Sequence, residues 1–216
     1  MSEKGTEEHI NVVPNGVQYV RVPSKIANPG PAGIFAFAST TFILSMFNAN
    51  VRGIEHPHVV VGMAIFAGGL VQFCAGMWEF PRGNLFGATA FSSYGAFWMS
   101  YATIFLPSSG ILAAYPSGSR ELSNALGIYL VTWLMVTILF IIPCLRRSIS
   151  FVVLLTTLAF AFTMLATAEF TGKHVFQKAG GAFGIATALI AYYIGLSELL
   201  EGEDRPIVRL PRGILV

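Results

Sequence analysis

The chain has 216 residues, of which 54% are hydrophobic and 11% charged, less than half the ~25% charged share of an average soluble domain. That balance places the chain in a lipid bilayer, and a net charge of +2 carried by scattered basic residues excludes a nucleic-acid-binding surface. Cys74 and Cys144, the two cysteines, sit in or beside apolar runs and offer neither a disulfide framework nor metal-ligand spacing.

Residues 1–25 mix Glu3, Glu7 and Glu8 with Lys4, Arg21 and Lys25 and hold no uninterrupted apolar core, which predicts a flexible cytoplasmic tail, not a signal peptide. A membrane domain is expected over 26–200. It comprises six uncharged runs, each near the ~20 residues that span ~30 Å of hydrocarbon. The first, about Ala32 to Phe47, is entered through Pro29 and Pro31 and carries Ser39, Thr40 and Thr41 in its middle. The others run from His58 to Trp78, from after Arg82 to about Leu106, from Leu122 to Ile142, from Ile149 to Ala168 and from Ala179 to Ser197. No proline lies inside a run, and Pro29, Pro31, Pro57, Pro81, Pro107, Pro116 and Pro143 all fall at segment ends, as residues that break helices should. Residues 201–216 form a short C-terminal tail, also expected in the cytoplasm. With both termini inside, nine of the thirteen basic residues are cytoplasmic, as the positive-inside rule prefers; Lys173 and Lys178 are a local exception.

Glycines predict close helix contacts. Gly62, Gly69 and Gly76 recur every seven residues with Gly68 beside them, and Gly180, Gly184, Ala188 and Gly195 repeat the device in the last run. Glycine weakens a helix, so its regular use points to tight approach of neighbours; membrane helices are also glycine-rich in general.

Polar residues inside hydrocarbon need partners or a cavity. Ser and Thr hydroxyls in the first run are accounted for equally by bonds to the carbonyl one turn back. In the third run Asn84, Thr89, Ser92, Ser93 and Tyr94 all enter the bilayer. Tyr94 lies twelve residues past Arg82, roughly 18 Å at helical rise and beyond the interfacial belt. Between their ends the runs hold no Asp, Glu, Lys, Arg or His, so a conduit here would be lined by hydroxyls, amides and rings. No nucleophile, base and orienting group converge, and neither enzyme activity nor a cofactor is expected.

These residues resemble the acetate uptake transporter family, also called GPR1/FUN34/YaaH, and within it the fungal acetate and succinate permeases. The resemblance rests on ANPGPAG at Ala27 to Gly33, where Gly30 and Ala32 replace the Ala and Leu of the family signature NPAPLG. It continues through GGLVQFCAGMWEFPRGNLFGATAFSSYGAFW from Gly68 to Trp98, LGIYL from Leu126 to Leu130 and SELLEGE from Ser197 to Glu203. It implies an all-α membrane protein of six transmembrane helices per protomer, each bundle enclosing its own pore in a homo-oligomer, a hexamer, in the plasma membrane. It implies passage of acetate and similar short carboxylates, succinate among them, as proton symport or as an anion channel. The narrowest point is then a hydrophobic collar of Phe37, Tyr94 and Leu158. Thr40, Thr41, Ser92, Ser93 and Thr157 are the candidate carboxylate-binding groups beside it, and Asn28, Asn48, Gln72, Asn84 and Glu79 occupy the ends of the path, with Glu79 expected to order Asn84 and its loop. Two other readings stay open: a channel for a neutral solute such as urea or ammonia, and a sensor of acetic acid that transports nothing.

Overall fold

The computed structural model of the chain describes residues 12–13, 16–17, 26–54, 57–116 and 119–214. Most of the tail expected over 1–25 therefore lies outside the described residues, as does His56. Two-residue strands β1 (Val12–Val13) and β2 (Gly16–Val17) pair antiparallel. The rest is helical: α1 Gly30–Asn48, α2 Val59–Glu79, α3 Leu85–Phe105, α4 Glu121–Cys144, α5 Ile149–Thr171 and α6 His174–Glu201. Among the described residues, all but α3 are long and apolar enough by composition to cross a membrane. The 21-residue α3 is the polar helix, and its centre is buried: Tyr94, Phe97 and Trp98 are at most 5% exposed. The exposed large side chains on α2 and α4, among them Phe66, Leu70, Met77, Ile128, Met135 and Leu139, are apolar, which suits lipid and not water.

The helices form a ring. α1 packs on α6, α6 on α5, α5 on α4, and on the other side α1 meets α2 and α2 meets α3. The ring closes between α3 and α4 through side chains: Phe97 contacts Trp133 at a centroid distance of 5.0 Å, and the Tyr129 hydroxyl meets Ser100 Oγ at 2.7 Å and donates to the Phe97 carbonyl at 3.1 Å. Small residues permit the tight approaches. A Cβ added at Gly68 would lie 2.8 Å from Thr40 Oγ1 and from the Trp98 ring, one at Gly76 would meet Ser92, and ones at Gly181 and Gly184 would strike Ser45 of α1.

The seven-residue glycine pattern in α2 does not make one face. Gly69 and Gly76 meet α3, while Gly62 meets nothing within 4 Å. The reason is a π-helical segment at Phe66–Val71, whose wider turn rotates everything on one side of it relative to the other.

Helix ends also extend past the apolar runs. Gly172, at φ +67° in the left-handed region, ends α5 with its N–H on the Ala168 carbonyl at 2.8 Å. Lys173 alone separates it from α6, which begins at His174 and not near Ala179. Hydropathy marks the hydrocarbon boundary; hydrogen bonding decides where a helix stops. For the same reason Pro143 lies inside the last turn of α4, which continues to Cys144.

The C-terminal segment folds back onto the bundle. Ser148 and Ser150 both donate to the Arg212 carbonyl, at 3.0 and 2.7 Å, the Ile149 N–H reaches Gly213 O at 2.9 Å, and Tyr193 and Ser197 hold the carbonyls of Pro211 and Leu210.

Candidate functional site

Inside the ring two cavities meet end to end. One, of about 270 Å³, opens at the end of the bundle where α1 finishes, between Asn48, Tyr101, Glu169 and Lys173. The other, of about 260 Å³, opens at the opposite end, beside the start of α1 and the C-terminal segment, between Glu79, Asn84, Arg147 and Arg212. Phe37 and Tyr94 line both, so the two cavities are separated by this pair of rings, whose centroids lie 5.8 Å apart at 47°. Leu158 faces the first cavity from α5, with Leu154 and Leu155 one turn below it on the second. All three collar candidates are nearly inaccessible, Phe37 at 6%, Tyr94 at 4% and Leu158 at 5%.

Tyr94 is fixed in place. Trp133 and Phe140 pack on its ring at 6.2 and 5.8 Å, and its hydroxyl lies 2.9 Å from Thr137 Oγ1. Thr137 spends its single proton on the Trp133 carbonyl at 2.8 Å, so Tyr94 must be the donor between the two hydroxyls. Nothing in the sequence near Thr137 marks it; its role arises where α4 crosses α3.

The three adjacent hydroxyls of α1 have three different surroundings, because successive residues on a helix point about 100° apart. Ser39 accepts a bond from the Tyr192 hydroxyl of α6 at 2.9 Å. Thr40, fully buried, donates to the Ala36 carbonyl one turn back at 2.9 Å and packs beneath Gly68. Thr41 lines the first cavity, 5% exposed, and its Oγ1 has no hydrogen-bond partner among the described residues. Gln72 mirrors it on the second cavity: 1% exposed, with Oε1 unpartnered among the described residues. A buried polar atom left unpaired costs about 1–3 kcal/mol, and both belong to side chains in the cavity walls.

The remaining candidates are less central. Thr157 donates to the carbonyls of its own helix and accepts from Thr187 at 2.9 Å. Ser92 packs against Gly76 with Oγ 3.9 Å from Met77 Sδ, and Ser93 is half-buried; neither lines a cavity described above. Asn48 sits at the first mouth. Asn28, Glu79 and Asn84 cluster at the second. Asn28 Oδ1 accepts from the Gly30 N–H at 3.0 Å and from Arg82 at 2.6 Å, Arg82 also pairs with Glu79 at 3.0 Å, and Asn84 caps α3 by accepting from the Gly87 N–H at 3.3 Å. Glu79 thus orders this mouth through Arg82, and it reaches Asn84 by its backbone carbonyl, which accepts the Asn84 N–H at 3.2 Å.

Three charged residues outside the expected site also line the second cavity: Arg147, Glu198 and Arg212. Arg212 pairs with Glu198 at 2.8 Å and with Glu201, and the Arg147 guanidinium lies 5.4 Å above the Phe86 ring with a bond to Asn84 Oδ1 at 3.4 Å. No local spacing marks Arg147 or Arg212, which the α4–α5 turn and the C-terminal fold-back bring there, whereas Glu198 stands near the end of α6 within the SELLEGE motif.

The profile of the GPR1/FUN34/yaaH family matches residues 13–212. Ammonia transport outward protein 2 of Saccharomyces cerevisiae is 47% identical over 187 residues, 87% of this chain and 66% of the relative. The succinate-acetate/proton symporter SatP of Escherichia coli is 33% identical over 183 residues, 83% of this chain and 92% of the relative. The solved structure of the bacterial acetate channel SatP superposes with a TM-score of 0.76 at 30% identity, covering 87% of this chain and all of that one. The chain spans about two thirds of the length of the yeast relatives it matches.

Proposed function

The chain belongs to the GPR1/FUN34/yaaH family, and from that premise we propose that it carries acetate and similar short carboxylates, succinate among them, across the plasma membrane through the interior of each protomer. The observation that carries this reading is the pair of end-to-end cavities sharing Phe37 and Tyr94, with a buried, unpartnered Thr41 hydroxyl on one side and Gln72 on the other. Phe37, Tyr94 and Leu158 act as the collar. The solute loses its water there and exchanges it for Thr41 before the collar and Gln72 after it. Asn48 at one mouth and Asn28, Glu79 and Asn84 at the other shape access. Thr40, Ser92, Ser93 and Thr157 hold the helices that form the collar and act on the solute indirectly.

Passing a bare carboxylate through an apolar ring costs tens of kcal/mol in the limit of an isolated charge, whereas the protonated acid carries no such penalty. At pH 7 an acid with a pKa near 4.3 is neutral in about one molecule in 500. The collar supplies no carboxylate, imidazole or amine of its own, so the proton travels on the substrate when the acid crosses neutral. The protomers assemble into a hexamer with both termini in the cytoplasm.

Labelled acetate flux into proteoliposomes, with pH and voltage gradients imposed separately, tests the proposal. Flux driven by the pH gradient and indifferent to voltage supports the neutral-acid route; steep voltage dependence at fixed pH replaces it with anion conduction; no flux in either gradient overturns the transport reading. The name of the 47% identical yeast relative favours a second reading, passage of ammonia through the same uncharged collar. Competition by methylammonium but not propionate would select it.

A further inference from the structure

Lys173, between α5 and α6, and Lys178, in the second turn of α6, stand out as basic residues at an end of the bundle where the positive-inside rule disfavours them. Their position in the fold supplies a reason. Both lie at the start of α6, at the end of the bundle where α1 finishes. Lys173, His174 and Gln177 line the first cavity; His174, Gln177 and Lys178 line an open recess beside it. Asn48, His174 and Gln177 belong to both, so the recess adjoins the mouth of the cavity. At this place the unpaired N–H groups of a 28-residue helix add partial positive charge. Glu169 opposes it as the acidic residue among the cavity's lining. Deeper in the wall of the same cavity is Thr41, whose hydroxyl is buried and without a partner among the described residues.

We propose that Lys173, His174 and Lys178 form an anion-collecting rim, which gathers short carboxylate anions from the aqueous phase and delivers them to the Thr41 station. The rim rests on the transport reading for its biological use but not for its binding of anions. It raises local carboxylate concentration without a tight site, as a charged funnel does. A unit charge about 10 Å from the solute in water changes local concentration about twofold, and both lysines about fourfold before screening. With a Debye length near 30 Å at 0.01 M, 8 Å at 0.15 M and 3 Å at 1 M, the pair is worth roughly threefold, 1.5-fold and nothing, respectively.

The test compares wild type, the Lys173→Gln/Lys178→Gln double variant and the Lys173→Arg/Lys178→Arg double variant at these three ionic strengths. Two readouts are taken on the full chain: the KM for labelled acetate entering from the lysine-bearing side, and the acetate dissociation constant by saturation-transfer NMR in nanodiscs, which needs no flux. The expected result is a roughly threefold rise in both constants for the glutamine variant at low salt, convergence at 1 M, and wild-type values for the arginine variant. Glu169→Gln should shift both constants the opposite way. Equal constants at every ionic strength, or a loss that persists at 1 M, would overturn the rim. A wild type that binds acetate with this salt dependence yet moves none would refute transport and leave the rim standing.

Discussion

Removing the hydroxyl of Thr137 should damage the proposed collar more than removing that of Tyr94, although of the two only Tyr94 belongs to it. Thr137 is fully buried and its Oγ1 both donates to Trp133 O and accepts from Tyr94 at 2.9 Å. In Thr137→Val the Tyr94 hydroxyl remains, buried and without its acceptor, at a cost of about 1–3 kcal/mol. That cost shifts the balance between the seated ring and one turned toward either cavity by about 5- to 150-fold. In Tyr94→Phe no group is orphaned, because Thr137 keeps its bond to Trp133 O, and the ring contacts with Phe37, Trp133 and Phe140 survive. The double variant should therefore recover most of what Thr137→Val loses. The assay is labelled acetate flux in proteoliposomes, with a bulkier carboxylate that wild type excludes as a gauge of aperture. Thr137→Val is expected to leak the bulky acid, while Tyr94→Phe and the double variant retain selectivity. A double variant no better than Thr137→Val, or a Tyr94→Phe equally leaky, would refute the reasoning.

Other outcomes follow from the packing and from the folded-back terminus. Gly76→Val should destabilise the helix pair α2–α3 by about 1–3 kcal/mol, as overpacking does, since even a Cβ there strikes the Ser92 backbone at 2.6 Å; Gly62→Ala, with open space around it, should hold or raise the melting temperature, since alanine favours a helix interior over glycine by about 0.5–1 kcal/mol, as scanning fluorimetry in detergent would read. Arg212→Ala removes the ion pairs that hold the C-terminal segment against Glu198 and Glu201, so amide exchange at Ile149 and Ser150, which donate to Gly213 O and Arg212 O, should accelerate by tenfold or more; unchanged protection would mean that the serine hydroxyls alone hold the segment.

The sequence made the helices legible because charge and proline mark where hydrocarbon ends, and all six runs are helices. It misjudged ends such as His174 and Pro143, where backbone hydrogen bonds and not hydropathy decide. The glycine heptad of α2 failed at Gly62 because a π turn has no hydropathic signature. Phe37, Tyr94 and Leu158 could be named from motif resemblance, and they do line the interior cavities. Which of Ser39, Thr40 and Thr41 faces that space could not be read, since adjacent hydroxyls look alike until the helix is rotated into its neighbours. Thr137, Arg147 and Arg212 were out of reach for the same reason: each acts across a contact between elements far apart in the chain.

The central claim is a single constriction dividing two vestibules, and Phe151, Leu158 and Leu165 of α5 allow it to be measured. They share one helix face at seven-residue spacing, with Phe151 on the second cavity and Leu165 on the first, each about 10 Å along the axis from Leu158. In a background lacking Cys74 and Cys144, Leu165→Cys and Phe151→Cys are exposed to a membrane-impermeant thiol reagent from either side. The account predicts that Leu165→Cys is labelled only from the side where α1 finishes, Phe151→Cys only from the opposite side, and that adding Phe37→Ala makes each reachable from both. Labelling of either cysteine from both sides with Phe37 intact, or from neither once it is removed, would contradict it.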